Sequence, residues 1–224
     1  MSTMLRVDMR VFVTCLAVVL APFARPAHAQ DPPPPIPFLV IDLHGSIPQF
    51  PSDDAALAAS RNMSLAELPG SGLGAQVGLH LYPLRARVVT LGLGGELAIG
   101  RSRQTPATVG TAGVTPLRPA QERFTSLSPQ LSLNFGSGSG WSYLSAGLGQ
   151  STWSLEPEGL TNYLPNEDKL KTINFGGGAR WFIKPHLAFS FDVRFYAINP
   201  GFADLYPGTP RTTLLIIGAG ISVK

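Results

Sequence analysis

The sequence has few of the residues on which enzymes and cross-linked domains depend. It holds one cysteine, Cys15, so no disulfide can form within the chain, and only 14% of its 224 residues are charged. It has no Gly-Lys-Ser/Thr phosphate loop, no dinucleotide-binding glycine pattern and no His-Glu-x-x-His motif. His44, His80 and His186 are far apart in the sequence. We therefore expect no metal, no cofactor and no enzymatic activity.

The first 29 residues have the pattern of a secretory signal. Arg6 and Arg10 precede an apolar run from 11 to 23, and Ala27-His28-Ala29 follows as a small-residue cleavage site. This run is too short to cross a bilayer as a helix. The pattern predicts an exported protein whose signal, 1–29, starts at Met1 or Met9, the alternative being a buried amphipathic helix. Residues 30–37, which contain DPPPPIP, predict an extended polyproline lead-in on the periplasmic side.

The charge of the mature chain excludes one class of partner. The chain has 17 basic and 14 acidic residues. Residues 1–29 take three arginines and one aspartate with them, which leaves 14 basic against 13 acidic side chains. A balance this even gives no reason to expect a nucleic-acid partner.

Beyond residue 37 the side chains alternate between apolar and small or polar. This period of two predicts eight β-strands: 38–47, 72–82, 86–101, 123–136, 140–153, 170–183, 186–198 and 212–223. Long connections alternate with tight turns throughout, which is the layout of a transmembrane barrel with short periplasmic turns and long extracellular loops. We predict an all-β chain, an eight-stranded antiparallel up-and-down transmembrane β-barrel over residues 38–224.

The size of the side chains predicts which face points outward. One face is rich in glycine and serine, as the cramped inside of an eight-stranded barrel requires, and the other is bulky and apolar. The polar face carries Asp42, Glu96, Arg180, Asp192 and Arg194. We expect these five to form an ionic network in the lumen, because an unpaired buried charge costs several kcal/mol. A gate, in which an arginine exchanges carboxylate partners, is the functional alternative.

Three local features lead to further expectations. Aromatic residues near both ends of the strands predict two interfacial girdles: Phe38, Tyr82, Phe135, Trp141, Tyr143 and Trp181 at one end, and Phe124, Trp153 and Tyr196 at the other. Pro129 inside the fourth strand predicts a bulge or an early strand end. Residues 52–70 predict a short helix capped by Ser52 or Asp53, with Leu57, Leu65 and Leu68 as a plug for the mouth, the alternative being a mobile loop.

One strand pair resembles a known family. GGGARWFI (176–183), a turn and LAFSFDVRFY (187–196) resemble the strand pair of the outer-membrane β-barrel domain family, the relatives of OmpA and OmpX. The resemblance implies an outer-membrane location and an inward Asp-x-Arg, here Asp192 and Arg194. Its implied partners are outer-membrane lipid, lipopolysaccharide, the barrel assembly machinery and a ligand on the extracellular side. The chain departs from the family by ending on Val223-Lys224 rather than on an aromatic residue, and we expect no peptidoglycan-binding module after the barrel.

The function expected from these patterns is a non-enzymatic structural, adhesion or loop-mediated binding role. Two alternatives remain. Asp42, His44 and Ser46 alternate along strand one, and a His-x-Ser strand resembles outer-membrane lipid A deacylases, in which the histidine activates the serine. A soluble periplasmic lipid-binding barrel would have the same alternation with its apolar side inside.

Overall fold

The computed structural model describes residues 33–86, 88–106, 117–160, 166–201 and 208–224, so the predicted signal peptide lies outside the described residues. Eight strands carry the alternating segments. They are β1 (Leu39–Gln49), β2 (Leu73–Ala86), β3 (Val89–Gln104), β4 (Ala120–Ser137), β5 (Gly140–Pro157), β6 (Asn166–Lys184), β7 (Leu187–Ile198) and β8 (Thr212–Val223).

The strands close into a barrel in sequence order. Each strand pairs antiparallel with the next, and β8 returns to pair with β1, for example through Leu43 and Ile221. The predicted all-β, eight-stranded, up-and-down architecture is confirmed. The turns after β2, β4 and β6 lie at one end, the hairpin end, together with the start of β1 and the last residues of β8. β1, β3, β5 and β7 end at the other end of the barrel, the loop end.

The outside of the barrel is apolar and the inside is polar. Leu91 and Phe191 are 41% and 38% exposed on the outer wall, whereas Arg194 is 1% exposed and Glu96 is also buried. This distribution contradicts the soluble-barrel alternative, which needs the polar face outside. The apolar outer wall is continued by many large side chains, among them Leu79, Leu93, Leu97, Ile99, Leu131, Leu133, Leu148, Phe175 and Phe189.

Glycine on the inner face lets the lumen hold large side chains. A Cβ on Gly178 would lie 2.1 Å from the carbonyl oxygen of Phe191 and 2.7 Å from the hydroxyl of Tyr143. That space is taken by the Tyr143 ring, which reaches across from β5. The small residues of the inner face therefore make room for a few bulky ones, as a narrow barrel requires.

Pro129 does not end or bulge its strand, so that expectation was wrong. β4 continues through it, and its register with β3 is regular from Val89 to Gln104. Toward β5 the ladder omits Ser128 and Pro129 but resumes in the same register on both sides. The missing N–H is thus accommodated by a local gap in pairing. The register shifts that do occur lie in β2, β5 and β6.

The prediction of two aromatic girdles was also largely wrong. Phe38, Phe135 and Trp181 face outward at the hairpin end. The other six residues predicted for the girdles are buried: Tyr82, Phe124, Trp141, Tyr143, Trp153 and Tyr196. They share strand parity with the polar inner residues, because the ends of a narrow lumen have to be filled by bulky side chains.

The loop between β1 and β2 contains the predicted short helix, α1 (Ala55–Ser60), followed by a 3-10 helix at Leu65–Glu67. The cap of α1 is Asp54 rather than Ser52 or Asp53: its carboxylate accepts hydrogen bonds from the backbone N–H groups of Ala56 and Leu57. Among the described residues, no helix reaches the length and apolarity that a membrane span needs.

Candidate functional site

A buried ion pair joins two strands that are not neighbours. The Arg180 guanidinium on β6 donates from Nε to Asp42 Oδ1 at 2.8 Å and from Nη2 to Oδ2 at 2.5 Å, across the lumen from β1. Asp42 also accepts from the Ser222 hydroxyl and lies 3.1 Å from His80 Nε2. Arg180 stacks over the Tyr143 ring at 4.2 Å. Asp42 is therefore held by partners from β2, β6 and β8.

Arg194 is the centre of a second buried cluster. Its guanidinium lies 3.0 Å from Asp192 Oδ2 and 3.2 Å from Glu96 Oε2. The Tyr143 hydroxyl donates to Asp192 at 2.7 Å, and the Tyr196 hydroxyl donates to Glu96 Oε1 at 2.5 Å. Glu96 is on β3 and Arg194 on β7, so this cluster also crosses the lumen.

These contacts occupy the middle of the barrel. Arg194 has further hydrogen bonds to Ser145 at 2.9 Å and to Asn174 at 3.3 Å, so both of its terminal nitrogens have partners. Both carboxylates of the second cluster are shared between the guanidinium and a tyrosine. The five residues Asp42, Glu96, Arg180, Asp192 and Arg194 thus form two clusters, linked through Tyr143, which contacts both Arg180 and Asp192.

The residues considered for a hydrolase do not form a nucleophilic site. His44 Nε2 lies 2.7 Å from the hydroxyl of Ser190 on β7, not from that of Ser46. Ser46 Oγ is buried and has no hydrogen-bond partner. The three candidate side chains, Asp42, His44 and Ser46, point into the closed lumen, where an acyl substrate has no access. The geometry does not provide an activated serine that a lipid could reach.

The loop end of the lumen is closed by an apolar plug. Leu57 and Leu68, from the β1–β2 loop, are 1% and 2% exposed, whereas Leu65, the third predicted plug residue, is 48% exposed. They belong to one core cluster with Phe50 and Ala58 of the same loop and with side chains of the barrel wall: Ala98, Phe124, Trp153, Leu155, Leu170, Tyr196, Ile198, Leu214 and Ile216. The β1–β2 loop therefore folds into the mouth.

Polar contacts tie this loop to others. Arg61 Nη2 lies 2.7 Å from Glu167 Oε1 and 2.8 Å from the hydroxyl of Thr209. Glu67 accepts from the backbone N–H of Ser64 at 2.8 Å and from that of Arg118 at 2.7 Å. Burial alone would raise the pKa of Glu67, but these hydrogen bonds outweigh it and hold the pKa below its usual value. The plug is thus anchored to β6 and to the connections after β3 and β7.

The hairpin end is closed by the lead-in. Ile36, 2% exposed, packs in a cluster with Val40, Tyr82, Trp141 and Phe182. The segment is held by backbone groups: Gly138 N–H donates to the Pro34 carbonyl at 2.5 Å, and Arg85 donates to the Ile36 carbonyl at 2.6 Å. The sequence predicted an extended lead-in on the periplasmic side, but not its contact with the barrel. The only signal for it was one isoleucine within a proline run.

The outer wall near the loop end carries a group of arginines. Arg101 on β3 and Arg123 on β4 are exposed and directly opposite each other in the ladder. Arg103, two residues further along β3, lies 2.7 Å from Glu158. In contrast, Arg101 donates to the neutral Gln121 amide at 2.5 Å. No carboxylate in the described ranges lies within 4.0 Å of the Arg101 or Arg123 charge.

No metal centre is seen in this part of the chain. Among the described residues, no three His, Cys, Asp or Glu side chains are grouped so that they could hold a metal ion.

Comparisons with known proteins identify the fold. No family model and no curated protein sequence matches the chain. The solved structure of Neisserial surface protein A (NspA) is similar with a TM-score of 0.56 and 12% identity, over 84% of this chain and 97% of that one. OprG from Pseudomonas aeruginosa gives 0.47 and 11%, over 85% and 97%. Ail, the attachment invasion locus protein of Yersinia pestis, gives 0.42 and 13%, over 82% and 97%.

Proposed function

We propose that this chain is a non-enzymatic outer-membrane β-barrel whose lumen is closed and whose loops carry its binding role. The observation that supports this most directly is the inside-out distribution of side chains. Leu91 and Phe191 are exposed on the outer wall while Glu96 and Arg194 are buried. An apolar outer wall of this kind is stable only in contact with acyl chains. In a closed barrel each strand pairs with a neighbour on both sides, so the backbone N–H and C=O groups are hydrogen-bonded without water.

The five charged residues of the lumen serve a structural role in this proposal. Arg180 and Arg194 each bridge strands that do not pair with one another. A gate would need an alternative carboxylate near each arginine and a water path to both ends. The apolar plug at the loop end and Ile36 at the hairpin end argue against such a path. The ionic network therefore braces a packed lumen.

Export and assembly complete the proposal. A cleaved signal over residues 1–29 directs the chain to the periplasm, and the barrel assembly machinery inserts it into the outer membrane. The hairpin end faces the periplasm and the loop end faces outward, where lipopolysaccharide and an extracellular ligand are the expected partners. The long connections supply the variable surface, as loops on a rigid scaffold usually do.

Membrane fractionation tests the location. We expect the mature protein in the outer-membrane fraction, and an unboiled sample should migrate differently from a boiled one on a denaturing gel because the closed barrel resists detergent. Recovery in the soluble periplasmic fraction without detergent would contradict the proposal. N-terminal sequencing of the same sample locates the cleavage site, with Gln30 as the expected first residue.

Electrical recording tests the closed lumen. The purified barrel, inserted in a planar bilayer, should show no steady ion conductance, since apolar clusters block both ends. A variant that lacks residues 33–37 and carries Leu57→Asp should conduct ions, with either a larger conductance or more frequent opening events. A steady conductance in the unaltered protein would show that the lumen is open.

A further inference from the structure

We propose that the outer wall of β3 and β4 carries a binding site for lipid A, the phosphorylated and multiply acylated part of lipopolysaccharide. Arg101 and Arg123 form the part of this site that binds the phosphates. This inference rests on the proposed outer-membrane location and names one specific lipid contact within it. Its basis is a pair of like charges that no carboxylate of the described residues neutralises.

The register places the two charges together. Arg101 and Arg123 are Cα partners in an antiparallel ladder, and such partners lie about 4.5–5.5 Å apart, with their side chains on the same face. Like charges directly opposite each other destabilise a strand pair. The pair is therefore tolerated most easily if an anion lies between the two guanidinium groups.

The neighbouring side chains leave the pair available. Arg103 has its own carboxylate, Glu158, at 2.7 Å. On β5, Glu156 accepts a hydrogen bond from the Ser154 hydroxyl and forms no ion pair with Arg123 within 4.0 Å. In the described part of the chain, Arg101 donates only to the amide oxygen of Gln121. A planar guanidinium with free N–H groups is suited to the oxygens of a phosphate group.

The wall below the pair suits acyl chains. Going from Arg101 and Arg123 toward the hairpin end, the next outward residues are Ile99 and Leu97 on β3 and Thr125 and Leu127 on β4, all of them exposed and all but Thr125 apolar. The two arginines, with a largely apolar strip of the wall beneath them, match the phosphates and the acyl chains of a phosphorylated lipid in the outer leaflet. Because the loop end faces outward in the proposed function, the lipid of that leaflet is lipopolysaccharide rather than phospholipid.

Binding of lipid A to the folded mature protein in phosphatidylcholine nanodiscs tests the site. The probe is fluorescent bisphosphorylated lipid A, and its affinity is compared for the unaltered protein and for Arg101→Gln/Arg123→Gln. One basic side chain near a charged lipid surface contributes about a 5-fold gain in affinity, so the double variant should bind about 25-fold more weakly. Arg103→Gln is the matched control and should change the affinity by less than about 2-fold, since its charge is paired.

Two further arms make the result decisive. Dephosphorylated lipid A should bind the unaltered protein as weakly as the double variant binds the intact lipid, which tests the phosphate contact even if the variant fails to fold. Equal affinity for both forms of lipid A, a double variant that binds as well as the control, or phosphatidylglycerol that competes as well as lipid A, would each overturn the proposal. A protein that fractionates away from the outer membrane would instead overturn the proposed function.

Discussion

Removal of the Arg180 side chain should strongly destabilise the barrel. Arg180→Met takes away two hydrogen bonds to Asp42 and the stacking over Tyr143, and leaves the Asp42 carboxylate buried. Breaking a buried ion pair from one side costs about 3–5 kcal/mol. Because Asp42 keeps contacts to Ser222 and His80, we expect a loss at the low end, about 3 kcal/mol in the free energy of unfolding.

A double-mutant cycle separates the ion pair from general packing. Asp42→Asn removes the charge but keeps the shape, and by itself leaves Arg180 buried without a carboxylate. The variant with both substitutions should lose about 2 kcal/mol less stability than the sum of the two single losses, and this difference is the coupling energy of the pair. Equilibrium unfolding by urea in lipid vesicles, followed by tryptophan fluorescence, measures all four proteins.

The control for this cycle is Arg211→Met, at an exposed position, which should change stability by less than about 0.5 kcal/mol. If Arg180→Met is no more destabilising than this control, or if the two single effects simply add, the lumen network does not brace the barrel.

Three other perturbations test the plug, the loop anchor and the inner face. Leu57→Asp should speed proteolysis between residues 50 and 70, because it places a charge in the apolar plug, while the exposed Leu65→Asp should not. The pKa of Glu67 is lowered, so the contacts that its carboxylate makes with the loop are present above the ordinary carboxyl range and are lost as the pH falls through the lowered pKa. Acid should therefore speed cleavage of this loop in the unaltered protein but not in Glu67→Gln. Gly178→Ala should weaken the heat-resistant band on gels, whereas Gly45→Ala, whose Cβ would meet nothing closer than 4.0 Å, should not; equal bands would show that the inner face has room to spare.

The strands could be predicted because alternation and turn residues are local signals. The segment predicted at 186–198 is β7 (Leu187–Ile198), and the segment predicted at 123–136 lies within β4 (Ala120–Ser137). The predicted strands are shorter than the observed strands wherever the ladder continues beyond the apolar band. There the pairing partner, rather than the residue type, decides where a strand stops.

The contents of the lumen were only partly predictable. Parity places a residue on the inner face, but which pairs meet depends on strand tilt and on contacts across the lumen, so sequence alone left Asp42, Glu96 and Asp192 as interchangeable partners of the arginines. The inward aromatics were missed although the signal was present: Tyr82 has the parity of His80, and Tyr196 has that of Arg194. In a narrow barrel, strand parity therefore outweighs the preference of aromatic residues for the membrane interface.

The central claim is that the apolar outer wall contacts acyl chains, and spin labelling at Leu91 tests it most directly. Cys15, the only cysteine, lies within the predicted signal, so Leu91→Cys carries the single thiol of the mature chain. With the labelled protein in lipid vesicles, we predict that molecular oxygen, which concentrates in lipid, relaxes the label strongly and that a water-soluble nickel chelate does not. Relaxation by the nickel chelate, without an effect of oxygen, would contradict the account.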